Sequence, residues 1–112
     1  MEQPQGSLIY STKVDLTGTH ASEKDVAASE LINDENRRVL AISIRGGSAL
    51  KRHRAAEPIT VLCTAGEGTF RAGAELEEAI EIGPGTLLTL DPEIDHEVEA
   101  ATDVRIIVTR FK

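Results

Sequence analysis

The stretch ITVLCTAGEGTFR, residues 59–71, contains the pattern that decides the fold. From Ile59 to Ala65 the apolar side chains recur every second residue, which is typical of a β-strand with one buried face. Gly66-Glu67-Gly68 follows as a turn, because glycine adopts positive φ at no steric cost, and a return strand begins at Thr69. The stretch therefore predicts a β-hairpin.

The same period of two continues on both sides of this hairpin. Upstream, Leu40, Ile42 and Ile44 alternate with small or polar side chains until Gly46-Gly47 supplies a turn. Further strands are predicted over residues 50–55, 76–82, 86–90, 96–100 and 104–111, with turn residues between them. About eight short strands in a chain of this size predict an all-β fold, either a small barrel or a two-sheet jelly roll.

The first forty residues have a less regular pattern. Residues 8–16 are compatible with a strand, whereas residues 22–32 permit two structures. Four apolar residues there have helical spacing, and Ser22 with Asp25 forms a weak capping box; the alternative is an extended segment that turns at Asn33-Asp34. We divide the chain into an N-terminal arm with the first strand or strands, residues 1–37, and a barrel core, residues 38–112.

Composition and charge limit the classes of partner. The 112 residues suit one domain, and 12 Lys+Arg against 19 Asp+Glu give a net charge of −7. This charge repels phosphate backbones and anionic membranes, so we expect neither nucleic acid nor a membrane as partner. Residues 1–5 lack the features of a signal peptide, and the single Cys63 cannot form an intrachain disulfide. We therefore expect a cytoplasmic protein with an aliphatic core.

Gly47, His53, Ala55, Ile59 and Gly66 are separated by five, one, three and six residues, and this spacing resembles the first sequence motif of the cupin superfamily. The family fills the corresponding positions with Gly, His, His, Glu and Gly. The resemblance covers about residues 38–110 and implies a small jelly-roll barrel with an N-terminal arm.

The second cupin motif is matched in part. The family has Gly, Pro, Gly, His and Asn, where this chain has Gly85, Asp91, Glu93, His96 and Ala100. The short spacer between the two motifs is similar to that of small single-domain cupins of the cupin 2 conserved-barrel type. In extended segments before and after His96, the neighbouring Asp95 and Glu97 should point away from the interior.

The resemblance implies a metal held by three histidines and one glutamate, and the chain departs from that set. His53 and His96 match, but Ala55 and Ile59 cannot bind a metal. Two imidazoles fall short of a four-coordinate zinc site or a two-histidine-one-carboxylate iron site. We expect no cofactor, or a weakly bound iron, manganese, nickel or zinc ion at His53 and His96. Glu57 could complete the set from its loop, although a solvated turn residue is the commoner role.

Residues two apart on a strand share a face, so one face of the predicted strands should line the barrel interior. The ligand-binding residues that this predicts are His53, Ile59, Val61, Cys63, His96 and Val98. Cys63 has a second interpretation as a small core residue, because a thiol in apolar surroundings is inert. The two histidines can likewise be a polar pair bridged by water.

Three basic residues surround His53. By alternation Lys51 shares its inward direction, whereas Arg52 and Arg54 should face outward. Pairing with surface carboxylates is the usual role for such residues, and holding a carboxylate ligand at the barrel mouth is the alternative. His20 lies in a polar stretch before the barrel and is predicted to be exposed.

These observations leave three functions open. The first is a small cupin that binds a small organic ligand near His53 and His96. The second is a metal-dependent enzyme of the oxygenase or isomerase type with an incomplete two-histidine site. The third uses His53 or His96 as a general base without metal. The resemblance also implies a homodimer, with residues 8–16 as the segment exchanged between subunits.

Overall fold

The computed structural model describes residues 8–112, in which every regular element is a β-strand. The strands are β1 Val26–Asn33, β2 Arg37–Ile44, β3 Ala49–His53, β4 Ile59–Ala65, β5 Gly68–Ala72, β6 Glu78–Ile82, β7 Leu87–Leu90, β8 His96–Ala100 and β9 Val104–Phe111. The eight strands predicted from residue 40 onward all form, and β1 is the ninth. Across this range no helix is long and apolar enough to cross a bilayer.

Two antiparallel sheets enclose the core. The five-stranded sheet has the order β1-β2-β9-β4-β7, and the four-stranded sheet has the order β3-β8-β5-β6. The predicted all-β, two-sheet jelly roll is therefore confirmed. The predicted hairpin of β4 and β5 is not a paired hairpin, because the Gly66-Glu67 turn carries the chain from one sheet to the other.

The extended alternative for residues 22–32 is correct, and the helical one is wrong. Strand β1 pairs with β2 from Val26 opposite Ile44 to Asn33 opposite Arg38. The turn between them is held by Asp34, whose Oδ1 accepts hydrogen bonds from the backbone N–H groups of Asn36 and Arg37, both at 2.9 Å. A ladder of this length outweighs the weak helical preference of an eleven-residue segment.

The prediction of a strand over residues 8–16 is wrong for the described chain, where the first strand begins at Val26. The arm is instead fixed by single hydrogen bonds to the five-stranded sheet and its turns. Arg105 Nη2 donates to the carbonyl of Thr19 at 3.1 Å. The beginning of the predicted arm, residues 1–7, lies outside the described residues.

His20 is a second attachment of the arm, so the prediction that it is simply exposed is wrong. Its backbone N–H donates to Asp103 Oδ2 at 3.0 Å. Its ring Nε2 donates to the carbonyl of Lys24 at 2.5 Å, and its Nδ1 lies 2.7 Å from Ser43 Oγ. The side chain is half-buried because it crosses onto the outer face of β2.

The core lies between the sheets and divides into two ends along the same strands. We call the end at Ile44, Ala65, Ala100 and Val104 the closed end, and the end at His53 and His96 the open end. The largest fully buried side chains are Ile44, Cys63, Val98, Val104 and Ile106. Of the two phenylalanines only Phe70 belongs to the buried core, which agrees with the predicted aliphatic interior.

The closed end depends on a close approach of two backbone segments. Gly66 has φ +80°, and a Cβ atom added there would overlap the carbonyl oxygen of Asp103. A Cβ atom on Gly68 would overlap the carbonyl oxygen of Glu99 in the same way. Asp103 Oδ1 also accepts a hydrogen bond of 2.8 Å from the N–H of Gly46. Glycine is required where these turns meet, because any side chain would hold the backbones apart.

Candidate functional site

A cavity of about 150 Å³ lies between the two sheets at the open end. Ten of its lining side chains are apolar, and the other four are two histidines and two arginines. The lining residues are Leu40, Ile42, Leu50, His53, Arg54, Ala55, Ile59, Val61, Phe70, His96, Val98, Ile106, Val108 and Arg110. A mostly apolar concavity with a few polar groups is typical of a small-molecule site.

Five of the six residues predicted to bind a ligand line this cavity: His53, Ile59, Val61, His96 and Val98. Cys63 is not among the lining residues. Its side chain is 1% exposed, and its Sγ–H donates to the carbonyl of Ala65 at 3.4 Å. Burial raises the pKa of the thiol, so Cys63 is an unreactive core residue near the closed end.

A bulge in β3 sets the direction of the side chains around His53. Leu50 pairs with Val98 and His53 pairs with His96, so two residues of β3 lie opposite the single Glu97. The extra residue lets both Leu50 and His53 face the cavity. Strict alternation counted back from His53 placed Lys51 inward, and this prediction is wrong.

His96 is the most enclosed polar side chain of the site. It is 4% exposed, and its Nδ1–H donates to the backbone carbonyl of Ile94 at 3.0 Å. Burial lowers the pKa of His96, with a smaller contribution from His53, so the ring is neutral at physiological pH. In the neutral ring that donates from Nδ1, Nε2 holds the lone pair and is an acceptor.

His53 lies beside His96 at the outer edge of the cavity and is exposed. Its Nδ1–H donates to the carbonyl of Lys51 at 2.8 Å, so Nε2 is the ring nitrogen that this contact leaves unused. The two ring centroids are 4.1 Å apart with an edge-to-face angle of 61°. Phe70 stacks on the other side of His96, at 5.6 Å and 11°. Packing on both sides therefore holds the His96 ring in place.

Arg54 reaches the cavity from the end of β3, although alternation placed it outward. The strand ends at His53, so the alternation does not extend to residue 54. Arg54 Nε donates to Asp95 Oδ1 at 2.8 Å, and Arg52 donates to Asp95 Oδ2 at 2.6 and 2.9 Å. The hydrogen bond from Arg52, with the charge of Arg54, holds the pKa of the Asp95 carboxyl below its usual value. The predicted pairing of Arg52 and Arg54 with carboxylates is thus present.

Arg110 enters the cavity lining from the last strand, and no motif in the sequence pointed to it. Its Nε and Nη2 lie 3.1 and 2.8 Å from Glu57 Oε1. Glu57 is therefore neither a fully solvated turn residue nor free to point at the histidines. Both arginines that line the cavity are therefore paired with carboxylates.

Solved structures that share this arrangement of strands include cupins. A cupin superfamily protein from Desulfitobacterium hafniense has a TM-score of 0.74 at 14% identity, covering 83% of each chain. An RmlC-like cupin from Desulfovibrio desulfuricans has a TM-score of 0.77 at 20% identity, covering 89% of this chain and 94% of its own. This chain has the cupin fold. By sequence, it matches neither a family model nor a curated protein.

Enzymes also occur among the structures that share this cupin fold. Salicylate 1,2-dioxygenase from Pseudoaminobacter salicylatoxidans has a TM-score of 0.71 at 14% identity. The match covers 83% of this chain but only 27% of the dioxygenase chain. At this identity the likeness extends to the fold and not to the chemistry.

The residues of this cupin barrel do not fit the metal that the fold family implies. Ala55 and Ile59 line the cavity at the positions of the second histidine and the glutamate, and neither has a donor atom. Across residues 8–112 no group of three or more His, Cys, Asp or Glu side chains is arranged to hold a metal ion. The remaining candidate, Glu57, is paired with Arg110. Two imidazole nitrogens are fewer protein ligands than zinc or non-haem iron sites use.

Proposed function

We propose that this protein binds a small organic molecule in the cavity at the open end of the barrel, next to His53 and His96. The observation that supports this most directly is the cavity itself: an apolar space of about 150 Å³ with a buried, oriented imidazole in its wall. Close-packed domains contain few voids larger than a water molecule, so a space of this size is a candidate binding site.

The direct test fills the cavity. Ala55 lines it and is half-buried, whereas its neighbour Ala56 is exposed and does not. Ala55→Leu should abolish binding of toluene, which is small and apolar enough to enter, and Ala56→Leu is the matched control. Binding is followed by amide chemical shifts and thermal unfolding. We expect toluene to stabilise the native protein and the control, with shifts confined to the lining strands. Equal binding by Ala55→Leu would disprove the proposal.

One observation favours the metal-dependent enzyme as a second candidate. Both histidines donate Nδ1–H to a backbone carbonyl, which is the orientation that metal-ligating histidines commonly have. Metal analysis of protein purified without a histidine tag, beside the His53→Ala/His96→Ala double variant, separates the two candidates. If the protein only binds an organic ligand, the native protein and the double variant should contain the same sub-stoichiometric amount of metal. Near-stoichiometric iron, manganese, nickel or zinc that is lost in the variant would instead support the enzyme.

We also propose that the protein is a homodimer and works in the cytoplasm without a nucleic-acid partner. Strand β1 is an edge of the five-stranded sheet, and Leu8 and Leu16 in the arm are 98% and 67% exposed. Covering an edge strand and exposed leucines gives association a physical reason. Deleting residues 1–16 should convert a dimer into a monomer or an aggregate by light scattering. An unchanged, stable dimer would contradict the exchange of the arm.

A further inference from the structure

The ring nitrogen that His96 leaves without a partner in the cavity wall narrows the chemistry of the ligand. The Nδ1–H of His96 is used by the carbonyl of Ile94, and Nε2 has no hydrogen-bond partner within residues 8–112. His53 also presents Nε2, but its side chain is exposed, so solvent can serve it. A molecule that fills the cavity displaces water from Nε2 and should supply a donor to it, because a polar atom enclosed without a partner is costly.

The charges around the cavity disfavour an anionic ligand. Arg54 is paired with Asp95, and Glu93 lies 3.8 Å from its Nη1. Arg110 is paired with Glu57. A carboxylate entering this space would lose its hydration and meet no unpaired cation, or would have to displace one of these partners. A neutral molecule meets neither penalty.

The volume limits the size of the molecule. An apolar cavity of about 150 Å³ accommodates a molecule the size of benzene, on the order of six to eight non-hydrogen atoms. Phe70 and Val98 line the cavity together with His96, so the body of the ligand contacts apolar surface. A larger polar molecule would leave its polar groups against aliphatic side chains.

We propose that the ligand is a neutral, benzene-sized molecule with an apolar body and one hydroxyl group, which donates its hydrogen bond to Nε2 of His96. This proposal rests on the proposed function, since it names the class of molecule that the same cavity takes. It differs from the alternative of a carboxylate held by the arginines at the barrel mouth.

The test compares phenol, toluene and benzoate, which share a ring and differ in the group that could reach His96. Dissociation constants are measured by amide chemical shifts for the native protein, for His96→Phe and for Ile44→Val. The phenylalanine keeps a flat ring in the wall and removes the acceptor. Ile44 lies at the closed end and outside the cavity lining, so Ile44→Val controls for a general loss of stability.

We expect His96→Phe to lower the preference for phenol over toluene by about tenfold, the effect of one hydrogen bond to a buried group, and Ile44→Val to leave it unchanged. If His96→Phe does not fold, the ¹⁵N resonance of His96 Nε2 in the native protein replaces it. That resonance should move upfield with phenol and not with toluene.

Three results would overturn the proposal. Binding of toluene with no preference linked to His96 would remove the hydroxyl assignment and leave the proposed function standing. Benzoate binding more tightly than phenol would assign the cavity to carboxylates instead. Failure of both phenol and toluene to bind would overturn the proposed function together with this inference.

Discussion

The two ends of the barrel are built from the same four strands, β2, β4, β8 and β9, and yet only one end is filled. At the closed end the turn at Gly66 touches the backbone at Asp103, and Ile44, Ala65, Ala100 and Val104 are all buried. At the open end the β3 bulge and two arginine–carboxylate pairs border a cavity of about 150 Å³. Alternation alone makes both ends apolar; the turns decide which end closes.

The substitution with the largest expected effect on stability disrupts the packing of the closed end. Gly66→Ala would place a Cβ atom on the carbonyl oxygen of Asp103 at a φ of +80°, and we expect a loss of at least about 3 kcal/mol, or no folding. Gly47→Ala is the control, because Gly47 has φ +88° and open space around it, so only the left-handed strain of about 1–2 kcal/mol applies. Urea unfolding measures both. Equal losses would show that the closed end is not tightly packed.

The second prediction compares the same isoleucine-to-alanine substitution at the two ends. Ile44 is 0% exposed at the closed end, and Ile59 is 3% exposed in the cavity wall. We expect Ile44→Ala to lower the free energy of unfolding by about 4 kcal/mol and Ile59→Ala by about 2 kcal/mol. The space left by Ile59 joins a cavity that water can enter, whereas the space left by Ile44 is a new void. A larger loss for Ile59 would contradict the distinction between the ends.

The third prediction concerns the pH dependence of the stability that Asp103 gives to the closed end. Asp103 accepts hydrogen bonds from the N–H groups of Gly46 and His20, and these bonds lower the pKa of its carboxyl from the ordinary 3.8. A carboxyl with a lowered pKa in the folded state stabilises the fold above its unfolded pKa, and this contribution is lost as the pH falls from about 3.8 through the folded pKa.

Asp103→Asn should therefore be less stable than the native protein at neutral pH, and this difference should shrink on acidification below pH 3.8. Asp91→Asn is the control, since Asp91 is exposed and has no ion pair among the described residues. Urea midpoints at several pH values test this. A difference that does not change with pH would show that the carboxylate charge is not what stabilises this turn.

The smallest expected effect on stability comes from breaking an ion pair at the open end. Glu57→Gln removes the partner of Arg110, whose side chain is 31% exposed against 24% for Glu57. Solvent screens such a pair, so we expect the free energy of unfolding to fall by less than about 1 kcal/mol. Thermal unfolding measures this against Glu67→Gln, an exposed residue of the closed end. A loss as large as that of Ile44→Ala would mean that the pair holds the open end together.

Much of this fold was predictable because a two-residue period depends only on neighbours in the chain. Eight strands, the aliphatic core and the facing of His53 and His96 follow from that period and from the resemblance to the cupin motifs. The errors lie where distant residues compete with local pattern. Residues 22–32 have weak helical spacing, and only pairing with β2 makes part of them a strand. Lys51 faces outward because of a bulge that pairing with β8 produces.

The candidate site was predictable to a similar extent. Its two histidines and three aliphatic lining residues were visible in the sequence, whereas Cys63, the sixth candidate, lies outside the cavity lining, near the closed end. Arg110 was missed because it is distant in sequence from the motif and reaches the cavity only through its place on β9. No local signal distinguishes such a residue from any other surface arginine.

By itself the sequence determined which faces are apolar, where glycine permits turns and that the second histidine and the glutamate of the cupin metal site are replaced by Ala55 and Ile59. Those features are properties of single residues and of their spacing along a strand. Only the tertiary structure decided that one end closes, that Nδ1 of His96 is turned to a carbonyl, and that the arginines of the cavity are already paired. Each of these depends on contacts between segments far apart in the chain, which a local pattern cannot encode.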